Sequence, residues 1–86
     1  MNPHSIVKSL ASAAGAFSIT PHDTNNLTKA VQAIYIGGSG DIKVEMKNGD
    51  VVTFTAVPVG VFPIQVNKVY LTDTTATNIM GLTEDI

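Results

Sequence analysis

The sequence predicts an all-β fold, a small antiparallel β-sandwich or barrel of about five strands with an N-terminal arm. Two observations carry this. Between Ala33 and Ala56, apolar and polar residues alternate with the period of a half-buried strand on both sides of a turn rich in polar residues and glycine. Beyond it, short alternating runs punctuated by glycine, proline and threonine continue almost to the end of the chain.

Residues 1–19 read as the arm and residues 20–86 as the β-domain. In the arm, Ile6, Val7, Leu10 and Phe17 stand in a background of alanine and serine, and they are the residues expected to contact a partner during assembly. Ser5 to Ala14 would form a short helix with Ile6, Leu10 and Ala13 on one side, or an extended docking segment. Lys8 and several serines interrupt its apolar run, so it is not read as a secretory signal, and no stretch is long enough for a transmembrane helix.

Thr20-Pro21-His22-Asp23 opens a polar turn that runs to Thr28. Lys29 to Ile36 is the first strand, with Val31, Ala33 and Tyr35 on one face and Ala30, Ile34 and Ile36 on the other. Gly37, Gly38 and Gly40 then form a permissive turn. A phosphate-binding loop would need a following helix N-terminus, whereas a strand follows here. A calcium-binding glycine-aspartate repeat would need stacked copies, and Gly40-Asp41 supplies only one.

The central hairpin fixes its own register. A two-residue Asn48-Gly49 loop would pair Lys43 with Phe54 and Glu45 with Val52, placing charge beside core. A three-residue loop, Lys47-Asn48-Gly49 with Gly49 in the left-handed region, instead pairs Val44 with Val52, Ile42 with Phe54 and Lys43 with Thr53. Asn48 and Gly49 are therefore the turn-forming residues, and Val52, Phe54 and Ala56 are expected on the apolar face. Val57 to Gly60 is a turn, and a further strand carries Phe62, Ile64 and Val66. Pro63 sends this strand to an edge or bulge. The apolar phase shifts to Val69 and Leu71 across Asn67-Lys68, marking a β-bulge or a strand covered on both sides. A threonine-rich turn over Thr72 to Thr77 leads to a last strand, Asn78 to Leu82, and an acidic tail.

Composition narrows function. A domain of 86 residues is near the lower limit of independent stability. With no cysteine, and with only His4 and His22 far apart, neither disulfides nor a metal staple are at hand, which leaves oligomerisation as the source of extra stability. Five lysines, no arginine and a net charge of −2 argue against nucleic-acid binding. Charged residues are 14% of the chain, against about a quarter in ordinary domains, which suits a surface covered by neighbours.

No catalytic constellation emerges. His4 and His22 have Ser5, Ser9 or Thr24 near them in sequence, without an orienting carboxylate or oxyanion motif. Asp41, Glu45, Asp50 and Asp73 lie beside turns or on the wet face, and no glycosidase-type carboxylate pair can be located. Tyr35, Tyr70, Phe62 and the threonines offer stacking and hydroxyl groups to a sugar, yet the chain has no tryptophan and aromatics at strand period are usually core. A small carbohydrate-binding attachment module is kept as an alternative; a histidine hydrolase is the weakest reading.

From Phe17 onward, AFSITPHDTNNL, AIYIGGSGDIKVEM, DVVTFTAVPVGVFPIQVNKVY and TDTTATNIMGL occur in order. Jointly, and above all through Ile19-Thr20-Pro21, Tyr35 to Asp41, Val52-Thr53-Phe54 and Thr74 to Thr77, the chain resembles the head spike base proteins of tailed phages and phage-derived gene transfer agents. That resemblance implies a non-enzymatic virion structural protein with no cofactor, made in the host cytoplasm and built into the phage head surface. It implies a homo-oligomer, a pentamer favoured over a trimer, that sits on the major capsid protein at vertices and carries a spike or fibre protein. A capsid decoration (cement) protein is the neighbouring alternative. The chain departs from the family pattern in having lysine and asparagine where arginine is expected around Val66 to Tyr70, and in its ending Thr83-Glu84-Asp85-Ile86.

Overall fold

The computed structural model describes residues 13–83. They form seven strands in two antiparallel sheets: β1 (Gly15–Ser18), β2 (Ala33–Gly38), β3 (Gly40–Met46), β4 (Val51–Val57), β5 (Gly60–Phe62), β6 (Val66–Val69) and β7 (Thr77–Thr83). The larger sheet has the order β1-β7-β2-β5, and the smaller the order β4-β3-β6. Ile34, Ile36 and Ile79 from the first sheet pack with Ile42, Val44, Val66 and Val69 from the second in one core, joined by Ile19, Val31, Val57 and Ala76. Each fully buried isoleucine contributes about 1.5–3 kcal/mol of hydrophobic stabilisation.

The expected hairpin register is the observed one. Ile42 pairs with Phe54, Lys43 with Thr53 and Val44 with Val52. The Met46 N–H donates to the Asp50 carbonyl at 2.6 Å and the Gly49 N–H to the Met46 carbonyl at 2.8 Å. Gly49 has φ 100°, so the loop is the three-residue form.

Two expectations change, and an open choice is resolved. Seven strands replace about five: β1 was not anticipated, and the run from Phe62 to Leu71 divides into β5 and β6 around Pro63, which interrupts the ladder. Of the two readings of Asn67-Lys68, a β-bulge or a strand covered on both sides, the pairing gives the bulge, at Asn67, because β3 pairs Glu45 with Lys68 and Met46 with Val66. The other change concerns β4, whose residues were expected to present one buried face. Val52 is 37% exposed, Val51 51% and Ala56 is also exposed, because β4 is the outermost strand of its sheet. Only Val57 is buried there, with Phe54 half-buried.

The connection from β2 to β3 is a sheet-switching corner that turns on Ser39 alone. A Cβ on Gly37 would sit 2.7 Å from Asn78 Cβ and 2.9 Å from the Asn78 carbonyl oxygen, so the corner closes against β7 only with glycine there. Residues 20–27 bridge the sheets on the opposite side. His22 N–H donates to the Val69 carbonyl and Leu27 N–H to the Asn67 carbonyl, which covers the free edge of β6.

Candidate functional site

The expected functional residues are spread over the fold. Phe17 lies in β1, half-buried against the core, and Ala14 extends the strand by donating its N–H to the Thr83 carbonyl at 2.9 Å. The sheet therefore begins inside the stretch read as arm, while Ile6, Val7 and Leu10 lie outside the described residues, as does most of the Ser5 to Ala14 segment. Gly37, Gly38 and Gly40 sit at the corner between the sheets, and Asn48 and Gly49 in the hairpin loop. Asn48 holds that loop, accepting the Asp50 N–H at 3.0 Å through its side-chain oxygen and donating to the Asp50 carboxylate at 3.1 Å.

The polar side chains are committed to structure. His22 Nδ1 accepts the backbone N–H groups of Thr24 and Asn25 at 3.1 and 3.2 Å, so the ring braces its own turn. His4 lies outside the described residues. The Asp23 carboxylate turns away from His22 to Thr72, accepting the backbone N–H at 2.9 Å and the hydroxyl at 2.7 Å. Those bonds, the backbone one foremost, hold its pKa below the ordinary carboxylate value. Among the described residues no three acidic, histidine or cysteine side chains gather as metal ligands would.

The aromatic side chains share no platform. Phe62 meets Phe54 edge to face, with centroids 4.9 Å apart, and this pair ties β5 to β4 across the sheets. Tyr70 has the ammonium groups of Lys43 and Lys68 at 5.0 and 4.9 Å from its ring centre. Both lysines have carboxylate partners, Asp73 at 3.8 Å and Glu45 at 3.9 Å, so the cluster is charge-balanced. Tyr35 stands apart on the outer face of the larger sheet, paired with Val61 on one side and Met80 on the other.

What remains is an apolar side. Val51, Val52, Val59 and Val61 are 51, 37, 56 and 62% exposed, on or beside β4 and β5, the end strands of their two sheets. A shallow depression of about 290 Å³ is lined by Val59 and Val61 together with Phe54, Val57 and Phe62. Residues 51–67 contain no charged side chain. Sequence periodicity missed this surface because alternation reports which way a residue points and not which strands lie outermost; the unbroken charge-free run was the signal available.

No family model matches the chain, and no curated protein matches it. Among solved structures it is similar to a chain of a gene transfer agent (GTA) particle, the structure named "Capsid of native GTA particle computed with C5 symmetry". The TM-score is 0.78 at 26% sequence identity, over 95% of this chain and 99% of that one. The likeness extends over the whole fold and supports a structural role in a virion of the phage or gene transfer agent type.

Proposed function

We propose that this chain is a non-enzymatic component of the head surface, assembling as a homo-oligomer that forms the base of a spike or fibre at capsid vertices. The observation that carries the reading is the nearly complete two-way coverage by a chain from a capsid computed with five-fold symmetry. The exposed valines of β4 and β5, together with the low charge content, support burial against neighbours. The partners are further copies of the chain, the major capsid protein and a spike or fibre protein standing above. Residues 1–12, with Ile6, Val7 and Leu10, are the segment proposed to dock on the shell or a neighbour, and Phe17 anchors that segment to the sheet.

Electron cryomicroscopy of the intact particle tests this. Copies arranged five-fold at vertices are the expected outcome. Clusters on three-fold axes across the shell would make the chain a decoration protein instead, and its absence from the particle would overturn the virion assignment.

A further inference from the structure

The strands at the two lateral sides of the sandwich carry no charged residue of their own. On one side these are β4 and β5, within the charge-free run 51–67. On the other it is β1, within residues 13–21, which also lack acidic and lysine side chains. The Asp41 carboxylate reaches β4 only through the Ala56 amide, and Asp23 beside the β1 groove is held by Thr72, while four further charges gather in the Lys43, Glu45, Lys68 and Asp73 cluster around Tyr70. Two blank sides on one small, sparsely charged domain call for a shared explanation.

Sheet order supplies it. In the larger sheet β5 and β1 are the two end strands, each paired on one edge only among the described residues. β1 runs antiparallel to β7, β7 antiparallel to β2, and β2 antiparallel to β5. It follows that β5 and β1 run in opposite directions. A second copy set beside the first in the same orientation therefore brings its β1 antiparallel to β5, the direction an added strand needs. Val59 and Val61 project from the β5 side, while the β1 side carries a groove of about 320 Å³ between Phe17–Ile19 and the Asn25–Leu27 segment. β4 adds a further reason for cover, since an uncharged seven-residue edge strand without proline is a hazard when left open.

We propose that the β4–β5 side of one copy docks on the β1 side of the next, so that the larger sheet continues from copy to copy around the ring. The occupant of each apolar side is thus a second copy of this chain through a head-to-tail contact, the type that closes into cyclic assemblies. This rests on the oligomeric reading above. It assigns the seam, which five-fold symmetry alone leaves open. In the shared outer row Ser18, Met80, Tyr35 and Val61 lie side by side within one copy, and Val61 then faces Ala16 or Ser18 of the next.

The absence of native cysteine makes the seam addressable by cross-linking. Val61→Cys combined with Ser18→Cys, and separately with Ala16→Cys, would be built into the full chain and oxidised mildly in assembled particles. The expected result is a ladder of covalent oligomers for at least one double variant, and monomer for each single variant. A dimer from Val61→Cys alone would mean a symmetric β5-to-β5 contact and would overturn the head-to-tail seam. No ladder from either double variant, in particles that carry five copies at each vertex, would overturn the seam and leave the oligomeric reading standing. Particles carrying isolated single copies would remove that reading itself. As a second measurement, Val61→Glu should leave the domain folded and abolish the oligomer. An oligomer that survives Val61→Glu would also overturn the seam.

Discussion

Thr72 grips Asp23 with a backbone N–H and a hydroxyl, and this pair fastens the loop after β1 to the turn after β6, 49 residues apart in sequence. The hydrogen bonds favour the charged carboxylate, so the folded-state pKa lies below the unfolded one. The stabilisation is therefore complete above the unfolded value near 3.8 and is lost as pH falls through the lower, folded value. Asp23→Asn should be less stable than the parent at about pH 6, and the gap should close as pH approaches about 2. Urea midpoints measured across that range check it; a constant gap would mean that the carboxylate charge plays no part. Asp41 likewise joins segments distant in sequence. Its amide donates to Thr75 Oγ1, its carbonyl accepts the amides of Thr75 and Ala76, and its carboxylate accepts the amide of Ala56. The sequence placed Asp41 beside a turn but gave no sign that three segments converge on it, because two of its partners lie 34 and 15 residues away.

Among the elements, the β3–β4 hairpin was legible in full because its determinants are local: an alternating pattern on each arm and one glycine that selects the loop length. β1 was not legible. Its sequence, Gly15-Ala16-Phe17-Ser18, has little intrinsic strand preference, and its structure comes from pairing with β7, more than 60 residues further on. That pairing depends on a gap in β7. A Cβ on Gly81 would stand 2.8 Å from two carbons of the Phe17 ring and 2.8 Å from Val31 Cγ1. Gly81→Ala should therefore displace Phe17 and cost about 1–3 kcal/mol, the usual range for overpacking. Chemical denaturation measures the loss, and adding Phe17→Leu should recover part of it if the ring is the group displaced. Equal destabilisation with and without the second change would place the strain elsewhere.

For the molecule as a whole, the sequence led to the expectation of a small β-domain with few charges that gains stability from neighbours, and the fold supplies an exposed apolar side. The outermost position of β4 and β5 follows from sheet order, which no local pattern encodes, so the apolar side became visible only when the strands were assembled. The same assembly separates the role proposed for the N-terminal segment from that of the domain. The first described contact is the Ala14 N–H to the Thr83 carbonyl, and β1, Ile19 and the core follow from there. Removing residues 1–12 takes away Ile6, Val7 and Leu10 while leaving every strand and every core residue named above. The truncated chain should unfold at nearly the parent temperature, since its core is intact, yet fail to enter particles when it is the sole copy supplied. Thermal melts and the occupancy of purified particles read these two outcomes independently. A truncated chain that melts normally and reaches full occupancy would remove the segment from the docking mechanism. A large drop in melting temperature would instead make the segment part of the domain's own core, so that docking would have to be carried by the β4–β5 and β1 sides alone.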